Sequence, residues 1–256
     1  MTEVDRAVAF IRAYDEALVE QVVPAAHGRA LLTPSLPRVH YLNKFSVGHG
    51  ARCTAEELAE EVEPLFAQAG LAHRKIVGEG ELGELLVPAF RQRGWKVEDL
   101  VLMPHRGSIP EIDTSGVEEV GPEELEPLWI EGMRSSPEIE GEEEIRQLVA
   151  AQHRRRQAVE VRYLAARVEE QIASYCELFS NGNTGQIESV MTLERFRGRG
   201  LAKAVVTHAI AESRAAGHEL TFLEADADDW PKELYRKLGF EVAGSTWSFL
   251  LPRGVT

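Results

Sequence analysis

Arg195, Arg197 and Arg199 alternate with Phe196, Gly198 and Gly200, and an apolar-rich segment free of Gly and Pro then runs from Leu201 to Glu212. Glycines at i and i+2, at the mouth of a helix, let backbone N–H groups approach a ligand without a Cβ in the way. The first turn of a helix has unpaired N–H donors and the positive end of the helix dipole, which suits a phosphate. Three neighbouring arginines add charge fitted to a diphosphate. The plainer alternative is a glycine turn with solvated arginines. A P-loop would need Gly-Lys-Ser/Thr where this chain has Gly-Leu-Ala, and a dinucleotide fingerprint would need a third glycine where Ala202 and Lys203 follow. An RGG-type RNA segment would be repetitive, and this one is not.

The surrounding composition narrows the partners. With 28 basic and 42 acidic residues the chain carries −14, which argues against a duplex-binding face and hence against nucleic acid. An acidic surface can favour cationic substrates such as amines, though it also simply keeps a protein soluble. Cys53 and Cys176 stand far apart in unlike contexts, so the expectation is reduced thiols and a cytoplasmic location. The amphipathic first segment carries charges throughout and has no signal-length apolar run, and no stretch reaches membrane-span length. The eight histidines show neither HxxxH nor a CxxC context, so no metal site is expected.

The elements that must position the arginine-glycine stretch can be read coarsely. Residues 3–22 read as a helix, 29–34 and 38–47 as strands, and 54–70 as a helix opened by Thr54 and Glu57 in capping-box spacing. A strand at 73–79, a helix at 82–94 and a strand at 95–104 follow. The turn-rich 104–116 is the expected boundary between segments 1–110 and 111–256. Beyond it, 121–136 and 142–158 read as helices, and 160–192 as strands with one turn at Asn181–Gly185. The helix at 201–212, a strand at 220–225, a helix near 229–238 and a strand at 241–252 complete an α/β pattern with a mixed sheet.

An internal repeat is present. Phe90-Arg-Gln-Arg-Gly-Trp-Lys-Val97 and Tyr235-Arg-Lys-Leu-Gly-Phe-Glu-Val242 share aromatic, Arg, two residues, Gly, aromatic, one residue and Val, each running into an apolar strand. Two related halves, with only the second complete, would produce this; so would common helix-to-strand chemistry.

Two motifs together carry a resemblance. The stretch Ser189–Ala202 is similar to the R-x-x-G-x-G/A loop of the GNAT acetyltransferase superfamily, with Arg195, Gly198 and Gly200 at the key places. Downstream, Asp228–Phe240 resembles that family's second signature through Tyr235, Leu238, Gly239 and Phe240. The likeness covers roughly 112–252. It implies a mixed, mostly antiparallel sheet flanked by helices, with a smaller, degenerate GNAT-like half in front, at 1–110. That half has no such loop, and Phe90 without a hydroxyl stands at the place of Tyr235. Its implied job is structural, as one wall of an acceptor cleft.

The resemblance further implies an acetyl-CoA-dependent N-acetyltransferase acting on a primary amine of a small molecule or peptide. Glu188, Ser189 and Val190 would line the pantetheine arm of coenzyme A, and Phe196, Arg197, Gly198, Arg199, Gly200 and Leu201 would wrap its diphosphate beside Arg195. Tyr235 would face the leaving thiolate; at an ordinary pKa of about 10, above the ~8.5 of a thiol, it can donate. Glu188 is the candidate base, with Glu224 on the next strand as an alternative. Asp228 stands where the family often has a cofactor-touching Asn, a departure that also admits a non-catalytic acyl-CoA-binding module. Tandem members such as mycothiol synthases pair one functional half with one degenerate half. The acceptor's identity is not encoded in any motif, and a homodimer is left open.

Overall fold

A computed structural model describes residues 1–252, so the last four residues of the 111–256 segment lie outside the described residues. The chain begins with α1 (Glu3–Leu18), β1 (Gln21–Pro24), β2 (Gly28–Leu32), a 3-10 turn (His40–Leu42), β3 (Lys44–Val47), α2 (Ala55–Gln68), β4 (Arg74–Glu79), α3 (Gly80–Gln92) and β5 (Lys96–Pro104). It continues with β6 (Val117–Val120), α4 (Pro122–Ser135), α5 (Gly141–Ala158), β7 (Glu160–Val168), β8 (Gln171–Asn181), β9 (Thr184–Thr192), α6 (Leu201–Ala215), β10 (Leu220–Asp226), α7 (Pro231–Lys237) and β11 (Gly244–Leu251).

Several elements depart from the sequence reading. The first helix stops at Leu18, because Val19 turns extended and Gln21–Pro24 pair with β2 as an edge strand. Proline is tolerated there because an edge leaves its missing N–H on the open side. Of the strand expected at 38–47 only Lys44–Val47 is extended. The 160–192 run has two turns rather than one. Glu169 and Glu170 make the first with φ of 50° and 66°, a tight hairpin with no glycine or asparagine to announce it. The short β6 carries no alternation long enough to be read.

All eleven strands form one mixed, mostly antiparallel sheet in the order β1-β2-β3-β4-β11-β5-β10-β9-β8-β7-β6. Alternation sorts the side chains by face. On one face Leu223 and Ala225 of β10 pack under Val205, Val206, Ala209 and Ile210 of α6 and Leu238 just past α7. On that same side Ile76 and Phe249 pack under Leu58 and Phe66 of α2 and Phe90 of α3. The opposite face carries α1, whose Phe10 meets Phe222 edge-on at 5.6 Å, and α4, whose Trp129 packs with Tyr163 and Tyr175.

The halves exchange their last strands. β5 pairs antiparallel with β10 (Phe222↔Pro104 to Asp226↔Leu100), while β11 pairs antiparallel with β4 (Thr246↔Glu79 to Leu251↔Arg74), and β5 and β11 pair with each other. The parallel pairs β3–β4 and β9–β10 lie symmetrically about that centre. The strands exchanged are those that follow the internal repeat. Phe249 of β11 stacks on Phe90 at 4.4 Å inside the first half's core, and Met103 of β5 is fully buried in the second's.

A consequence follows for cutting the chain between 110 and 111. Residues 111–256 alone would leave β10 with an open edge and strip Phe249 of its core. Neither fragment is expected to show a cooperative melt by itself, whereas co-expressed fragments should elute together and melt as one. A cooperative native-like transition in isolated 111–256 would contradict this.

Candidate active site

β9 and β10 pair in parallel only from Thr184↔Leu220 to Gln186↔Phe222. Beyond that point β9 follows β8 as far as Thr192↔Ser174, and β10 follows β5 as far as Asp226↔Leu100. The parting has a local cause. Glu188 pairs with Glu177 and Met191 with Tyr175, so Ser189 and Val190 together oppose Cys176 alone, which is a β-bulge. Ser189 sits at φ 54°, a region that costs a non-glycine residue about 1 kcal/mol or more. Arg155 of α5 holds it: the guanidinium donates from Nη1 to Ser189 Oγ and to the fully buried Glu177 Oε2, both at 2.7 Å.

The opening leads to the arginine-glycine stretch. A 3-10 turn at Glu194–Phe196 is followed by Gly198 and Gly200 at φ 79° and 82°. No atom lies within 4 Å of where a Cβ would stand at either glycine, so the glycines are required by dihedral angle and leave open space above them. Among the described residues, the amides of residues 198–203 find no acceptor in the protein; the next one, Ala204 N, bonds to Gly200 O. The first turn of α6 has no acidic residue and no side-chain cap. Six open donors at a positive dipole end form an anion cradle, and an acyl-CoA diphosphate fits its chemistry.

The first half lacks an equivalent cradle. At the start of α2, Thr54 Oγ1 accepts from Glu57 N–H and the Glu57 carboxylate accepts from Thr54 N–H, with Glu56 also in the first turn. That helix end supplies its own anion.

A cleft of about 510 Å³ runs from the cradle along the parted strands, between Val190, Thr192 and Phe196 on one side and Trp230, Leu234 and Tyr235 on the other. Of the residues singled out in the sequence, Val190, Phe196, Arg197, Gly198, Gly200, Leu201 and Tyr235 line it. Arg195 and Arg199 flank Phe196, at 5.2 and 5.3 Å from its ring, and Arg195 is tied to Glu131 of α4 at 2.6 Å. These arginines brace the loop instead of lining the cleft. Asp228 is exposed and outside the cleft, its N–H donating to Asp226 Oδ1 at 2.8 Å; Asp229 and Trp230 form the wall. Met191, Thr192 and Lys203 also line it and were missed; of these, only Lys203, in the first helical turn, carried a signal.

Tyr235 and Glu188 approach the opening from opposite sides. Tyr235 belongs to the α6/α7 face; burial first, and then the charge of Glu188, push its hydroxyl far above the usual tyrosine range. It therefore stays a proton donor at all physiological pH. Glu188 lies on the α1 face with Glu177 and Gln186, half-buried, accepting from Gln186 Nε2 at 2.6 Å. Burial, partly opposed by Arg155 and reinforced by Glu177, raises its carboxyl to about 7. Glu224 lies on that same face of β10, raised to about 8 by burial and by Glu188. Among the described residues no group of three or more His, Cys, Asp or Glu is placed to hold a metal, and no helix is long and apolar enough to cross a membrane.

The fold is an α/β architecture with an open row of helix-start amides beside a pair of parted strands. Residues 125–240 match the family model described as Acetyltransferase (GNAT) family, which places this segment of the chain in that family. Among solved structures, it is similar to a functionally unknown conserved protein from Staphylococcus epidermidis (TM-score 0.72, 16% identity, 91% of this chain and 94% of that one). It is also similar to a GCN5-related N-acetyltransferase from Kribbella flavida (0.66, 17%, 97% and 96%). A tandem GNAT protein from the clavulanic acid biosynthesis pathway matches at 0.56, with 14% identity over 83% and 76%. At these identities the likeness is one of fold. No curated protein matches the sequence.

Gly200→Ala is expected to cost about 1–2 kcal/mol in chemical denaturation, because alanine at φ 82° brings its Cβ against the carbonyl. An unchanged midpoint would mean the backbone there is not left-handed.

Proposed function

We propose that the protein is an acetyl-CoA-dependent N-acetyltransferase that moves an acetyl group to a primary amine of a small molecule or peptide by direct attack. The observation that carries this reading is the row of open amides at 198–203, facing a cleft that Tyr235 lines. Glu188 and Ser189 do not line that cleft; Glu188 stands on the other face of the parted strands, close enough for its charge to act on Tyr235. Acetyl-CoA supplies the acetyl group as a thioester, with a thiol as leaving group. The amides of Gly198 to Lys203 hold the diphosphate, and Val190 and Leu234 flank the arm. Glu188 removes a proton from the acceptor nitrogen, and Tyr235 donates one to the departing sulfur. A silent acyl-CoA-binding module was favoured by a carboxylate at 228 beside the phosphates, and Asp228 stands away from the cleft.

Micromolar acetyl-CoA is expected to raise the melting temperature and to protect residues 196–204 from amide exchange. The absence of both effects would remove the proposal. Tyr235→Phe should lower kcat tenfold or more with little change in acetyl-CoA affinity.

The pH profile supplies a separate check. Glu188 works only when ionised, so kcat/KM should climb as pH rises through about 7 and fall tenfold per unit below it. Glu188→Gln should flatten that limb and lower kcat by about a hundredfold. A limb that persists in the variant belongs to another group.

A further inference from the structure

Strand β4 sends Ile76 into the core beneath α2 and α3, so Lys75 stands on the opposite face, the one toward α1. Its neighbours across the sheet are Leu250 of β11 and, one place before the Phe45↔Ile76 pair, Lys44 of β3. Leu250 in turn pairs with Lys96 of β5. Three of the chain's six lysines therefore share one level of one face. Lys44 is tied to Asp15 of α1 at 2.6 Å, and Lys96 is exposed. Lys75 is half-buried and, among the described residues, takes part in no ion pair and no side-chain hydrogen bond. An ammonium withdrawn from water beside a second ammonium, with no carboxylate in contact, is costly to keep.

We propose that Lys75 is a covalent modification site, whose amine takes an acyl group from small activated donors in solution, an acyl thioester or an acyl phosphate. The inference stands apart from the transferase reaction, since it uses neither the cleft nor Tyr235. The lone pair of a neutral Nζ attacks the acyl carbon. The C–N bond forms as the bond from that carbon to sulfur, or to a phosphate oxygen, breaks. The leaving group keeps that electron pair and takes the proton the nitrogen loses, so the products are one amide and one thiol, or one amide and one phosphate. Amines attack only as the free base, and an ordinary lysine, at a pKa of about 10.4, is almost wholly protonated at neutral pH. Burial holds Lys75 below that range; Glu98 pulls the other way, and Lys44 adds to the fall.

The groups facing Lys75 come from each neighbouring element. They are Lys44 of β3, Asp15 of α1, Glu98 of β5 and, from β11, the uncharged Leu250. Asp15 is already committed to Lys44, and Glu98 is exposed and two strands away. Acylation removes the charge at Lys75, so Lys44 loses the like charge beside it and keeps its bond to Asp15. That bond ties α1 to β3, and the modified chain holds α1 the more firmly for it.

The test uses the full-length protein and acetyl phosphate at neutral pH with no coenzyme A present, so its outcome does not depend on the transferase reading. Acetylation of each lysine is followed over time by mass spectrometry. Lys75 should be modified at least tenfold faster than the exposed Lys96, Lys203 and Lys237, and the preference should vanish in urea, where every lysine meets the same solvent. Equal rates at these four lysines in the folded protein overturn the inference. A second arm replaces acetyl phosphate with acetyl-CoA. The same order of sites names both donors, and modification by acetyl phosphate alone keeps the site and names one. Modification of Lys75 by acetyl-CoA alone means that the cleft, and not the amine, selects the site, and overturns the inference. As a third measurement Lys75→Met, which keeps an unbranched side chain without the charge, should melt at or above the wild-type temperature. A fall of several degrees would show that the ammonium has a stabilising partner, and the inference would go with it.

Discussion

Whether β9 and β10 part depends on Arg155, which is buried against Glu177 while its remaining reach goes to Ser189 on the bulge. Without the bulge, β9 would continue its parallel pairing past Gln186 and the cleft would close. Magnitudes decide that it stays. The left-handed serine costs about 1–3 kcal/mol. A hydrogen bond to a charged group contributes about 1.5–3 kcal/mol, so the bond from Arg155 to Ser189 Oγ offsets a strain of the same size. Preorganisation of this kind spares a binding event the cost of prying strands apart.

The exchange of β5 and β11 explains why a half with no anion cradle of its own is still required. The Thr54–Glu57 capping box closes that half's helix end. Its α1 lies across the face that carries Glu188 and Glu224, and Tyr41 brings its ring within 5.8 Å of Arg155. Because β5 is also the strand on which β10 registers, the position of Glu224 is set by hydrogen bonds to the first half, through Leu102.

The readable part of this protein was what lies close in sequence. Gly198 and Gly200 announced a left-handed turn and a helix start, and the shared pattern beginning at Phe90 and Tyr235 marked the two strands that turn out to be exchanged. Long-range pairing was not readable. Nothing in local spacing links Arg195 to Glu131 or Arg155 to Glu177, since each bond joins elements that meet only in the folded sheet. The hairpin at Glu169–Glu170 lacks the residues that normally betray positive φ. Helix α1 was over-extended because Val19 to Val23 continue an apolar pattern; pairing with β2 decided the matter, as tertiary context does for short β-branched runs.

A single physical cause, removal from water, pushes Tyr235 and Glu188 in the same direction with different consequences. Burial disfavours the charged form of every acid. For Tyr235, already protonated at neutral pH, a further rise only holds its proton more firmly. For Glu188, whose ordinary pKa lies well below neutrality, the same push carries it to about 7, where it is half ionised and able both to accept a proton and to release it. Arg155 limits that rise by favouring the carboxylate, while Glu177, bonded to the same guanidinium, adds to it. The arginine that bends the strand thus also keeps the glutamate on the strand within reach of neutrality, so the shape of the slot and the proton affinity inside it are set by one side chain.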